Sequence, residues 1–205
     1  EAASGAAHVR VVSCNTTGLN RMFAPLVEEY GVERSSITLV RCRGEHAVIS
    51  ADPVTMPSHH GPDALEVIPE IGQITTMGMK APTVRHHFHG INVELDAEPS
   101  AEEVAELFAS QSRIHVIDGD LDVSSGWDLQ EFALDRGRDR MNLYENQLFE
   151  DSITIENNQL HLFQAIHRES DVVPESVDAI RAMTETADAT ESIEKTNEVM
   201  GIGDV

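Results

Sequence analysis

The sequence predicts an α+β domain, a mixed and largely antiparallel sheet covered on one face by helices. Three observations carry this. Runs that alternate with period 2 and stripes that recur with period 3.6 occur along one chain, about seven strands and four or five helices, joined by hairpins and crossovers alike. SITIE (152–156) and QLHLFQAI (159–166) are separated by Asn157 and Asn158, residues that a tight hairpin turn prefers. No GxGxxG turn follows a strand, and the one close glycine pair, Gly201 and Gly203, stands near the end of the chain, so a dinucleotide-binding unit is not expected within it.

In chain order, VRVVS (9–13) reads as a short strand, and Leu19, Met22, Phe23, Leu26, Val27 and Tyr30 then recur at helical spacing until Gly31. Residues 36–41 (SITLVR) read as the next strand, followed by an irregular stretch to Asp63 that carries PSHHGPD. Strands are expected at 73–77 and 85–95; in the second, alternation puts His87, His89, Ile91, Val93 and Leu95 on one face and His86 on the other. Ser100 and Glu103 form a capping-box pattern ahead of Val104, Leu107 and Phe108. RIHVID (113–118) reads as a strand, 127–136 as a short helix, and Pro174 opens a helical region reaching Met200, with Gly201 as its stop.

The charge narrows the function. Fourteen basic against 36 acidic residues leave −22, and only Lys80 and Lys195 are lysines. Such a chain does not gather nucleic acid or anionic membrane. With 40% hydrophobic residues it has the apolar material for a core, so the charge reads as a solvated acidic surface of the kind halophilic cytoplasms favour. Cys14 and Cys42 are too few for a disulfide framework, and no apolar run approaches the roughly 18 residues that span a bilayer. A soluble, cytoplasmic protein with reduced thiols is expected. The opening EAASGAA lacks the features of a signal peptide and reads, over residues 1–8, as a linker or as the remnant of a preceding domain.

Cys14 is the sharpest chemical signal. A thiol at a strand-to-helix junction meets the free N–H groups and positive dipole end of the helix, which favour a thiolate and can hold an oxyanion; a buried structural cysteine is the plain alternative. A nucleophilic cysteine wants a histidine, and His87 and His89 share one strand face, between which the spacing does not choose. A metal site built from His59, His60 and the HHFH run (86–89) has no zinc-type spacing behind it, and no metal is expected. Arg41 and Arg43 flank Cys42 in a chain that spends little positive charge, which suits an anionic substrate such as a phosphate ester as well as it suits two solvated arginines.

SCNTTGLNR (13–21), PSHHGPD (57–63), SITIENNQLHLFQAIHRESDVVPESVDAIRA (152–182) and SIEKTNEVM (192–200) together resemble the catalytic half of archaeal glyceraldehyde-3-phosphate dehydrogenase. The resemblance implies a Cys14 nucleophile that takes glyceraldehyde 3-phosphate through a hemithioacetal to a thioester, hydride passing to NAD or NADP and inorganic phosphate releasing 1,3-bisphosphoglycerate in glycolysis or gluconeogenesis. It implies substrate contacts from Ser13, Asn15, His60, Gly61 and Arg41, a proton-handling base at His87, and cofactor contacts from Arg43, Arg168 and Asn197. It further implies a homotetramer, a catalytic domain over 9–182, and a final helix over 183–205 that packs on a nucleotide-binding half, supplied in cis or in trans and absent from this sequence. Two positions depart from the family pattern: Cys42 stands within its paired arginines, and Arg168 replaces the glutamine of its HQES. The other readings are a non-catalytic oligomerisation or regulatory module of the same descent, and a cysteine hydrolase needing no nucleotide.

Overall fold

The computed structural model describes residues 3–43, 49–52 and 56–203. Its elements are α1 (Cys14–Tyr30), β1 (Val32–Cys42), β2 (Ser50–Ala51), α2 (His60–Val67), β3 (Gln73–Ala81), β4 (His86–Leu95), α3 (Ala101–Ala109), β5 (Ile114–Ile117), α4 (Gly126–Asp135), β6 (Asn146–Phe149), β7 (Thr154–Glu156), β8 (Gln159–His167), α5 (Val173–Met183) and α6 (Ala189–Met200). The strands make one sheet in the order β2-β3-β1-β4-β8-β6-β5, with β7 paired to β8. The β1–β3 and β5–β6 pairs are parallel and the rest antiparallel. The α+β class and the mixed, largely antiparallel sheet follow the expectation.

One face of β1, β4 and β8 buries Ile37, Leu39, Ile91, Val93, Leu160 and Leu162 under Leu19, Met22, Phe23 and Leu26 of α1 and Val104 and Phe108 of α3. Gly18 lets α1 lie this close: a Cβ there would meet Ile166 Cγ2 at 2.8 Å. Gly31, at φ 70°, ends the helix in a conformation that a side chain would disfavour. The opposite face is covered at one end, where Leu129, Phe132 and Ala133 of α4 pack with Ile117, Leu143, Ala165 and Phe88. Its middle is open, and Phe163 is 57% exposed there.

Local signals settled most boundaries. The Ser100–Glu103 capping box forms in both directions, and the β7–β8 turn places Asn157 and Asn158 at positive φ. The strand expected at 9–13 does not form. Strand propensity needs a neighbouring strand to be realised, and this segment runs instead along the surface, where Arg10 meets Asp63 and Glu66 of α2. The single helical region expected from Pro174 to Met200 is two helices, broken where Glu185 turns to positive φ and Asp188 caps α6 through Glu191 N–H. Strand β6 was not expected; its NQLF sequence carries no alternation, because Asn146, Gln147 and Leu148 are all buried.

Helix α6 packs against α5 through a polar network. The Asp178 carboxylate accepts from Ser192 and Thr196 hydroxyls and pairs with Arg113, whose Nε donates to Asn197 Oδ1 at 3.1 Å. No helix among the described residues is long and apolar enough to cross a membrane.

Candidate active site

The head of α1 is built by a turn whose Ser13 occupies the cap position without a side-chain cap bond. The first N–H groups of the helix are thereby left to face Cys14 Sγ, with Cys14 and Asn15 supplying the backbone donors that favour its thiolate. Ser13 Oγ lies 3.2 Å and Thr16 Oγ1 3.4 Å from His60 Nδ1, so the PSHHGPD segment closes over this turn. Gly61 N–H donates to Thr76 Oγ1 at 3.3 Å, which seats the start of α2 on β3.

Asn15, on the other side of the cysteine, is buried and bound to the sheet. Its Oδ1 lies 3.0 Å from His89 Nε2, and His89 Nδ1 lies 3.0 Å from Gln164 Nε2. The amide N–H of Gln164 donates to Nδ1, so Nε2 carries the ring proton and donates to Asn15. His89 is thus used up in holding α1 on β4 and β8. His87, two residues earlier on the same strand face, accepts the Cys42 backbone N–H at Nδ1 (2.7 Å). Its neutral ring therefore carries the proton on Nε2.

The electrostatics run against the expectation of a ready thiolate. Burial and then the charge of Asp171 push the Cys14 thiol up to about 11, overriding the Asn15 and Cys14 N–H groups and Arg41. Burial also pushes His60 down to about 4 and His87 to about 3, with Arg41 adding to both. These imidazoles are neutral at pH 7. The helix terminus does not by itself ionise the cysteine, because a partly buried sulfur loses more hydration than the dipole returns.

Arg41 reaches this centre electrostatically but is tied to Asp52 (2.6 Å), which also holds Lys80 (2.8 Å). Arg43 is exposed beyond the end of β1, its N–H bonded to Ala81 O. Arg168 pairs with Glu169 at 2.7 Å and lies 4.0 Å from Cys42 Sγ through Nη1. Asn197 is held by Arg113 in the α5–α6 network and is not brought to the cysteine by any contact. Of the sequence-derived candidates, Ser13, Cys14, Asn15, His60 and His87 gather at one end of the sheet with Arg41 beside them; Gly61 supports them from behind. Among the described residues, no group of three or more His, Cys, Asp or Glu is placed to hold a metal.

Asp171 was missed. It follows β8 and is fully buried, and no pattern in ESDVVPE separates it from its exposed neighbour Glu169. Arg21 of α1 donates to its backbone oxygen (2.6 Å) while forking onto the Glu175 carboxylate.

A family model described as glyceraldehyde 3-phosphate dehydrogenase, C-terminal domain, matches residues 13–126. Curated relatives named glyceraldehyde-3-phosphate dehydrogenase match along nearly the whole chain. That of Halobacterium salinarum is 50% identical over 98% of this chain and 62% of its own length. That of Haloarcula marismortui is 49% identical over 99% and 60%, and that of Methanococcoides burtonii 46% identical over 98% and 62%. The chain spans about three fifths of the length of the curated relatives it matches.

Proposed function

The chain belongs to the glyceraldehyde-3-phosphate dehydrogenase family, as a C-terminal domain of the archaeal type, and on that premise we propose that it is the catalytic part of a phosphorylating enzyme. The reaction is oxidation of glyceraldehyde 3-phosphate to 1,3-bisphosphoglycerate through a thioester on Cys14, with a nucleotide-binding half joined in cis or in trans. The observation that carries this reading is the uncapped head of α1, where Cys14 follows Ser13, whose Oγ lies 3.2 Å from His60 Nδ1, with His87 in electrostatic reach of that histidine and Arg41 in reach of all three.

In this reading Cys14 Sγ attacks the aldehyde carbon. The charge gathering on the carbonyl oxygen meets the N–H groups of the first turn of α1 and the Nε2–H of His87, donors already oriented before reaction. Ser13, Asn15, His60 and Arg41 bind the sugar phosphate, Arg41 by charge, with Gly61 allowing the close approach of α2. A nicotinamide nucleotide supplies the hydride acceptor. Three of the helix N-termini would offer that group's phosphates no cradle. The N-termini of α3, α4 and α6 are closed by Ser100, Ser125 and Asp188, which occupy the N–H groups that would otherwise cradle phosphates. We assign the phosphate cradle, and with it the choice between NAD and NADP, to the nucleotide-binding half, with Arg43, Arg168 and Asn197 as this chain's contributions.

The open middle of the sheet, where Phe163 stands among Thr38, Val40, Gly90 and His161, favours a second role in assembly, and we assign the homotetramer contact to it. An assay separates the readings. The chain alone should oxidise glyceraldehyde 3-phosphate negligibly with NAD or NADP. Supplying the nucleotide-binding half should give turnover that depends on inorganic phosphate and is abolished by Cys14→Ser. Full assembly without turnover would leave the assembly role as the function.

A further inference from the structure

The side chains behind Cys14 form a chain of hydrogen bonds with a single direction. Asn146 of β6, Gln164 of β8, His89 of β4 and Asn15 of α1 are all buried, and each bonds to the next. The far end is set by groups that have only one hydrogen-bonding sense. The Gly18 carbonyl of α1, which can only accept, faces Asn146 Nδ2 at 2.7 Å and Gln164 Nε2 at 3.2 Å, and Arg21, which can only donate, faces Asn146 Oδ1 at 3.5 Å. Both amides are thereby fixed against a flip.

From that end the sense of every other bond follows. Asn146 Nδ2 gives its second N–H to Gln164 Oε1 (2.9 Å), and Gln164 Nε2 gives its second N–H to His89 Nδ1 (3.0 Å). A neutral His89 then holds its ring proton on Nε2, which donates to Asn15 Oδ1 (3.0 Å). The Asn15 amide is left with its nitrogen toward the thiol, Nδ2 lying 3.9 Å from Cys14 Sγ. Moving the His89 proton to Nδ1 would reverse the last link and turn the Asn15 oxygen toward the sulfur.

We propose that Gln164, acting through His89, is a positioning residue for the Cys14 thiol, holding the Asn15 amide so that an N–H meets the sulfur. A sulfur that loses its proton gathers negative charge, and an N–H aimed at it favours that form, whereas a carbonyl oxygen in the same place would oppose it. Packing alone does not require this order. To hold α1 on the sheet, the groups need only be bonded to one another in either sense, so the direction of the chain is what separates positioning from packing. The assignment rests on Cys14 as the reactive thiol of the proposed function, and not on the aldehyde, the nucleotide or the group that takes the proton.

The test uses this chain and has two parts. Nitrogen nuclear magnetic resonance of the histidine rings in the unaltered chain should show His89 neutral with its proton on Nε2; a proton on Nδ1 overturns the proposal without any variant. Cys14 alkylation by iodoacetamide is then followed across pH 7 to 10, below the thiol's own ionisation at about 11, with the Cys42 peptide of each sample as the internal reference. Gln164→Leu removes the donor to His89 Nδ1. It should move the Cys14 profile up by about one pH unit and slow the reaction about three- to tenfold, the smaller figure allowing for the greater nucleophilicity of a more basic thiolate, while Cys42 keeps its rate. Asn15→Ala should slow Cys14 by a similar factor, and adding Gln164→Leu to it should slow it no further, because the chain acts only through Asn15. The charges that act on Cys14, those of Asp171 and Arg41, are untouched in these variants, and circular dichroism confirms that each is folded. A Gln164→Leu rate equal to that of the unaltered chain, or an equally large loss in the Asn15→Ala background, removes Gln164 from the role. Because alkylation requires no nucleotide and no sugar phosphate, failure here and failure of the dehydrogenase reading are separate outcomes.

Discussion

His89 Nε2 lies 3.0 Å from Asn15 Oδ1, so the residue that follows Cys14 hangs from the second histidine of the His87-Phe88-His89 run. The two histidines share a strand face and neighbouring positions, yet they do different work. His89 is fully buried and satisfied at both nitrogens, whereas His87 has one nitrogen fixed by the Cys42 backbone N–H.

Substitution should separate these roles. His89→Ala leaves Asn15 Oδ1 without its partner inside the core, while Gln164 keeps Gly18 O and Asn146, and opens a cavity, and it should cost about 2–4 kcal/mol in urea unfolding. His87→Asn should cost less stability but slow turnover of the completed enzyme by about 10²-fold or more. A His89 variant with wild-type unfolding and abolished chemistry would reverse the assignment.

Acid should unfold the chain through its buried imidazoles. Burial holds His60, His86 and His167 down near 4 and His87 near 3, against 6.5 for a free imidazole. Between these values the unfolded chain binds more protons, so stability is fully present above about pH 6.5 and is lost as pH falls toward 4. Asp171 works oppositely: its raised carboxyl favours the fold at low pH and withdraws that support as pH rises through about 7. Four imidazoles outweigh one carboxyl. In molar KCl, which screens charge repulsion, the urea midpoint should therefore fall from pH 6.5 to 4, and less so in a His86→Asn, His167→Asn double variant. A midpoint constant over this window would refute the account.

Glu145 carries a buried ion pair that ties the end of the chain to the domain. It lies 2.8 Å from Arg138 Nη2 and accepts the Gly203 N–H at 3.1 Å, while Arg138 also donates to Gly201 O. Glu145→Ala strands a guanidinium away from water and should destabilise by about 3–5 kcal/mol. Replacing both partners by apolar residues should recover part of that loss, and no recovery would show that the loss was one of packing.

Salt should compact the protein. At −22 with two lysines, the surface repels itself at low ionic strength, and screening on the scale of about 3 Å at molar salt relieves this. Far-ultraviolet circular dichroism should show structure lost in dilute buffer and regained by molar KCl. A spectrum indifferent to salt would count against the halophilic reading of the charge.

Sequence alone determined what is local. The α1 stripe with its Gly31 stop, the Ser100–Glu103 box, the Asn157-Asn158 turn and the parity of β4 follow from spacing within one or two turns of chain, and each formed as its residues dictate. SCNTTG and PSHHGPD marked the cysteine and its histidine neighbourhood for the same reason, being short contiguous strings. Tertiary structure decided the chemistry. The Cys14 thiol goes up rather than down, with the Asp171 charge adding to burial, and His87 carries its ring proton on Nε2 because a backbone N–H of β1 reaches its other nitrogen. Proton affinity is set by desolvation and by charges brought together from segments more than a hundred residues apart, and no local spacing encodes that sum.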